Sequence, residues 1–184
     1  AAEMLPDRRI WIIDSLSTAG GLAIMVQQAA RMARQGFPAE VIVKSLGEMI
    51  AQMRLYFMVE SLEYLRRGGR IGGAAALVGS ILQVKPLLYL KGEIGVLDKV
   101  RTRSRAVIRL VEEAVQLARS SEQPYFLGAI HVDNPQEGES LRQQLQQELN
   151  REVALFSTGP VIGSHVGPGT LGFAFCPVPG PVPV

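Results

Sequence analysis

The chain has 184 residues, 47% apolar and 20% charged, with a net charge of +2. This is ordinary globular composition, long enough for one good-sized core or two small ones, and the charge is too small to argue for a nucleic-acid partner. One cysteine, Cys176, excludes an internal disulfide and fits a reducing compartment. No apolar run reaches the roughly 18–20 residues needed to span a bilayer. The first residues also lack the basic-then-apolar order of a secretory signal, so the expected location is the cytoplasm.

In chain order, residues 1–8 are polar and expected to be loose, and residues 10–13 (Ile-Trp-Ile-Ile) read as a short buried strand ending at Asp14 and Ser15. Hydroxyls and glycines fill residues 16–21. Met25, Ala29, Met32 and Ala33 then recur at helical spacing up to Gly36. Pro38 opens a second helix with Ile42, Leu46, Met49, Ile50 and Met53 on one face. Residues 55–59 read as a strand.

Residues 61–71 form the stretch that organises the chain. Leu62 and Leu65 share a helical face, Gly68 and Gly69 stop that helix, and Arg70 places a permanent cation at the break. The small residues 72–80 read as a helix that lets a neighbouring segment or a ligand come close, and Pro86 stops it. Residues 87–90 and 94–97 flank Lys91-Gly-Glu93 as a hairpin. Residues 103–120 keep the spacing of a strong helix, and 125–132 read as a strand. Asn134-Pro135 caps and opens a polar helix running to about Asn150. A strand at 153–156, a glycine-rich loop and a strand at 170–175 follow. The proline-rich tail from Cys176 is expected to be extended, outside any helix or central strand. Alternating strands and helices make the class α/β. The clearest break falls between residues 53 and 56.

Three segments could bind a ligand. In the first, Asp14-Ser-Leu-Ser17-Thr18-Ala-Gly20-Gly21, a strand end passes through hydroxyls and glycines into a helix N-terminus. Free N–H groups and the helix dipole favour an anion there, with hydrogen bonds from Ser17 or Thr18, although the same hydroxyls could simply cap the helix. In the second, Gly159-Pro-Val-Ile-Gly163-Ser164-His165-Val-Gly-Pro-Gly169, glycines expose backbone N–H groups beside a histidine. The other reading of that segment is a plain turn between strands. His131 has no motif around it and reads as structural. The third, Arg101-Thr-Arg103-Ser-Arg105, could meet phosphates or be a solvated helix start. Two histidines and one cysteine support no zinc site with several nitrogen or sulfur ligands. There is no phosphate-binding Gly-x-x-x-x-Gly-Lys loop and no Gly-x-Ser-x-Gly nucleophile elbow, so no metal, no cofactor and no enzyme activity are expected.

Four motifs in order resemble the DegV family. They are Ile12-Ile-Asp-Ser15 with its glycines; Phe57-x-x-x-Ser61-Leu-x-Tyr64-Leu-x-x-Gly-Gly-Arg-Ile71 with Lys85-Pro86; Lys99-Val-Arg-Thr102; and residues 161–169. The resemblance implies a two-domain architecture of mixed sheets flanked by helices. Residues 1–55 would be the remaining part of an incomplete N-terminal α/β domain, and residues 56–184 a C-terminal one. It also implies binding of a long-chain fatty acid, whose carboxylate is presented to a partner kinase subunit for acyl phosphate formation. The family's carboxylate-holding serine corresponds to Ala19 here, which leaves Ser17 or Thr18 to stand in. The site expected from residues and resemblance together is Ser17, Thr18, Gly20, Gly21, Arg70, Arg101, Gly163, Ser164 and His165, with Arg103 behind Arg101. Residues 72–80, Ile81, Leu82, Val84, Leu87, Phe57, Phe173 and Phe175 are expected as tunnel wall. The alternatives are an enzyme on a small phosphorylated or carboxylated metabolite, using Arg70, Arg101 and His165, and a ligand-free interaction domain. Exposed apolar surface could also drive a homodimer.

Overall fold

The six strands among the described residues are mostly apolar, because they belong to one sheet covered on both faces. The structure is a computed structural model and describes residues 2–78 and 84–178. Strands β1 (Arg54–Met58), β2 (Lys85–Lys91), β3 (Glu93–Val100), β4 (Tyr125–His131), β5 (Ala154–Ser157) and β6 (Leu171–Pro177) pair in the order β3-β2-β1-β6-β4-β5. All neighbours are antiparallel except β4 and β5. That parallel pair requires a crossover, supplied by α5 (Pro135–Leu149). The β2–β3 hairpin turns at Gly92, whose φ of +73° is cheap only for glycine.

Alternation along the strands sends Tyr56, Met58, Leu127, Ala129 and Phe173 to one face, beneath α4 (Arg103–Ser120) and α5. Leu55, Phe57, Leu88, Ile130 and Ala174 go to the other face. There the short helices α3 (Glu63–Arg67) and α6 (Pro160–Val166) cover one part. Helices α1 (Ala19–Arg34) and α2 (Ala39–Gln52) cover another part through Ile24, Met25, Met49 and Met53, packed on Phe126 and Cys176. Helices α4 and α5 start where their caps dictate: Thr102 Oγ1 accepts from Arg105 N at 3.2 Å, and Asn134 Oδ1 accepts from Glu137 N at 3.4 Å.

Several expectations are corrected. Residues 10–13 are not a strand: no strand among the described residues lies beside them, Ile12 is 82% exposed, and an unpaired strand has no ladder to hold it. The small-residue segment is a 3-10 helix over Gly72–Leu77, with Ala74 against the sheet, and residues 79–83, including Ile81 and Leu82, lie outside the described residues. The 159–169 segment is not simply a loop, because Pro160 at the first helical turn starts α6. Cys176 and Pro177 end β6, which is a central strand. Pro177 is tolerated there because its register partner is Tyr125 on β4 alone, beyond the last β1 pairing. The tail beyond Val178 lies outside the described residues.

Candidate functional site

The site is built around the end of α3. Its last turn closes in a Schellman arrangement: Arg70 N donates to Leu65 O at 2.9 Å and Gly69 N to Arg66 O at 3.1 Å, with Gly69 at φ +67°. This reversal carries Arg70 back over the fully buried Leu65, and Arg70 Nη1 donates to Gly68 O at 2.9 Å. Helix α6 packs directly on the same turn. A Cβ at Gly68 would lie 2.3 Å from His165 Nδ1, and one at Gly167 would lie 2.5 Å from the Tyr64 ring. The two glycines therefore let the helices approach closely enough to hold His165 beside Arg70. On α3 itself, hydrogen bonds from Arg66 and Arg67 hold the exposed Glu63 carboxyl down to about 2.

Between α3, α6, the start of α1 and the sheet lies a cavity of about 200 Å³. Its wall is Leu55, Phe57, Leu90, Ile94, Ile130 and Val132 from the sheet side, with Leu65, Ile162 and Val166 from the helices. The polar residues among its lining are Thr18, Arg70, Thr158, His165 and Thr170, the surface presented to the cavity is almost wholly apolar, and no carboxylate is among the lining residues. Thr170 is already committed, since the one proton of its hydroxyl is shared between Gly167 O at 3.0 Å and Val166 O at 3.1 Å. The Oγ1 of Thr158 and the Nδ1 of His165 are buried with no hydrogen-bond partner among the described residues.

The 14–18 segment reaches the cavity through an irregular turn. Leu16 and Ala19 adopt φ of +50° and +46°, uncommon for residues with a side chain, and Gly92 N ties Leu16 O to the β2–β3 turn at 2.8 Å. Thr18 is the N-cap of α1, yet neither its hydroxyl nor that of Ser17 caps the helix; Ser17 Oγ is buried without a partner among the described residues. The capping reading of these hydroxyls therefore does not hold.

Of the residues singled out from sequence, Thr18, Arg70 and His165 meet in the cavity. Ser17 lies behind them, with its Oγ 2.2 Å from where a Gly21 Cβ would be. Gly20 and Gly21 seat α1 closely, against Phe156 and against Ser17 and Met53 respectively. Gly163 packs on Val132, and Ser164 is exposed with its hydroxyl on Val161 O at 2.9 Å. Arg101 is exposed at the end of β3, outside the cavity lining. Arg103 is engaged elsewhere: it pairs with Glu60 and Glu137 and donates to Gly169 O at 2.9 Å, while Lys85 joins Glu60 at 2.8 Å. Among the tunnel-wall residues, Phe57 lines the cavity, but Leu87, Phe173 and Phe175 face α4 and α5 across the sheet. His131 is buried, accepting from Asn134 N at 3.4 Å. Thr158 was not legible as a site residue. The available signal was period-two alternation from Phe156, which sends Thr158 to the same face.

Known proteins share this fold. The profile of the family described as "Uncharacterised protein, DegV family" matches residues 1–178. A DegV domain-containing protein of Listeria innocua is 35% identical over 179 residues, covering 95% of this chain and 62% of its own length. Among solved structures, a fatty acid binding DegV family protein from Streptococcus agalactiae superposes with a TM-score of 0.87 at 29% identity, over 97% of this chain and 63% of that one. A stearic acid-binding protein from Eubacterium ventriosum superposes with a TM-score of 0.86 at 26% identity, over 96% and 62%. The chain thus spans somewhat over 60% of the length of these relatives. With the family profile matched from the first residue to the last described strand, and the same mixed sheet flanked by helices, the chain belongs to the DegV family.

Proposed function

We propose that this chain binds a long-chain fatty acid, with the alkyl chain against the apolar wall and the carboxylate at Thr18, Arg70 and His165. The observation that carries the reading is the cavity's composition: an almost wholly apolar wall, with Thr18, Arg70 and His165 among its lining residues and no acid among them. Each buried CH₂ contributes roughly 0.8 kcal/mol. The tail therefore supplies most of the affinity, and the polar end fixes orientation. The binding stated for the Streptococcus and Eubacterium proteins supports the same ligand class. The metabolite-enzyme alternative needs Arg101 at the site, and Arg101 lies outside the cavity lining.

In the whole protein, the bound carboxylate is presented to a partner kinase that forms the acyl phosphate, and this chain performs no chemistry on it. Residues 1–55 belong to the N-terminal domain and 56–184 to the C-terminal one. Exposed apolar residues on the 10–13 segment and α1, among them Ile12 and Val26, provide a surface for a second copy. No helix among the described residues is long and apolar enough to cross a membrane. The test is native mass spectrometry of the purified chain, followed by solvent extraction and lipid analysis. One fatty acid per chain is expected; retention of short polar metabolites alone would refute the reading.

A further inference from the structure

We infer that Arg103, which lies outside the cavity lining, is a positioning residue for the ligand site: it pins the loop that returns α6 to the sheet and so holds His165 and Val166 in place, an inference that rests on the fatty-acid reading above. Only Gly167 to Thr170 separate the end of α6 from the start of β6. Gly169 N donates to Val132 O at 2.9 Å, and Val132 N donates to Thr170 O at 3.0 Å. The Thr170 hydroxyl in turn shares its proton between Gly167 O and Val166 O. Val132, His165, Val166 and Thr170 all line the cavity, so the seat of this loop sets one corner of its wall. The carbonyl of Gly169 is taken by Arg103, whose Nη2 reaches it at 2.9 Å from the start of α4, on the opposite face of the sheet. The same guanidinium is held from two further elements. Its Nε donates to Glu137 Oε2 at 2.9 Å at the start of α5, and its Nη1 pairs with Glu60 in the link from β1 to α3. Lys85 Nζ holds Glu60 at 2.8 Å from the first residue of β2. A planar fork makes these bonds together, which a single ammonium does not. Gly169 fits the arrangement: its φ is +77°, and a Cβ there would lie 2.9 Å from Glu60 Cγ. The Arg103 side chain is 24% exposed, so salt screens the cluster less than an open surface pair. Both helices over the cavity are thus tied near one end to one side chain, α3 through Glu60 and α6 through Gly169. Supporting bonds of this kind keep site groups within about 0.5 Å of where a ligand needs them.

The test compares wild type with Arg103→Met, Arg103→Lys and Arg109→Met. Arg109 is the matched control: its side chain is 25% exposed and binds Asp98, Glu112 and Glu113, and none of these partners lines the cavity. The chain has two histidines, so the imidazole resonances of His165 are read against those of His131 alone. Arg103→Met is expected to shift the His165 resonances of the ligand-free protein and to weaken palmitate binding by about 2- to 30-fold in calorimetric titration. Arg109→Met is expected to melt lower by a similar amount and to leave both readings at wild type, which separates positioning from lost stability. Arg103→Lys keeps a cation for the two carboxylates without the fork and is expected to fall between wild type and Arg103→Met. It carries the same comparison with Arg109→Met if the methionine variant does not fold. His165 resonances and an affinity that stay at wild type in Arg103→Met, or that move equally in Arg109→Met, overturn the inference and leave the fatty-acid reading standing. A folded wild type that binds no palmitate overturns the fatty-acid reading, and the His165 resonances then decide the positioning role by themselves.

Discussion

Gly68 and Gly69 are adjacent, yet the structure predicts opposite consequences for an alanine at each. Gly68 has φ −76° and ψ −3°, a conformation alanine adopts freely, and the substitution reduces the freedom of the unfolded chain by about 0.4–1 kcal/mol. Its new Cβ, however, would sit 2.3 Å from His165 Nδ1 and 3.1 Å from Cε1. Carbon contacts settle near 3.5–4.0 Å, so the imidazole has to retreat by about 1 Å or more. Either the ring rotates away, or α6 shifts and the α3–α6 packing suffers an overpacking cost of about 1–3 kcal/mol. The net expectation for Gly68→Ala is a stability change between a gain of about 1 kcal/mol, where the ring rotates away, and a loss of about 2–3 kcal/mol, where α6 shifts, with palmitate affinity falling at least about tenfold in either case. Gly69 has φ +67° and nothing within 4 Å of its would-be Cβ. Gly69→Ala therefore costs about 1–2 kcal/mol of backbone strain, as for any L-residue held left-handed, and leaves His165 in place. Urea denaturation and calorimetric titration on both variants read the two effects separately. Wild-type affinity in a folded Gly68→Ala protein would refute the placement of His165 at the ligand.

Arg103→Ala removes a side chain that is 24% exposed and bridges Glu60, Glu137 and the Gly169 carbonyl. Urea denaturation is expected to show a loss of about 1–2 kcal/mol, against the few tenths typical of an isolated surface pair. Phe173 is fully buried and stacks edge-on to Tyr56 at 5.4 Å, so Phe173→Ala should cost about 3–5 kcal/mol and leave the opposite-face cavity lining intact. Burial pushes the Cys176 thiol up from 9.0 to about 12. The folded state thus favours the neutral thiol; its contribution is complete below about pH 9 and is lost as pH rises toward 12. Thermal melts across that window should fall more steeply for wild type than for Cys176→Ala, and parallel curves would contradict the assignment.

Sequence periodicity was enough for α4 and α5, because their register and their caps at Thr102 and Asn134 are both local features. The β2–β3 hairpin was equally legible, since Gly92 supplies the backbone its turn needs. The alternation of strands and helices led to the α/β class and the DegV motifs, read in order, to the family, and the structure and the family match show both. What sequence could not supply was decided by neighbours. Residues 10–13 have strand composition but no strand beside them among the described residues. The face of the sheet to which Phe57 and Phe173 belong depends on which strands pair: directly between the paired β1 and β6, Tyr56 rather than Phe57 opposes Phe173. Helix α6 was hidden by Gly163 within it and the glycines at its two ends, which lower helix propensity; of these, Gly167 permits the close contact with Tyr64 of α3. At the site, Arg70 and His165 were legible because charge and motif mark them. Thr158 was not, because a lone threonine just past a strand is common and only the structure places it among the cavity-lining residues.

The measurement that bears most directly on the account is a crystal structure of this chain with palmitate. The account predicts electron density for the acid in the cavity beneath α3 and α6, with the carboxylate within hydrogen-bonding distance of Thr18, Arg70 or His165 and the tail along Phe57 and Ile130. Palmitate seated instead in the groove between α4 and α5, at Ile108, Val111 and Val115, would contradict it, as would a carboxylate pointing into solvent with the polar end of the cavity untouched.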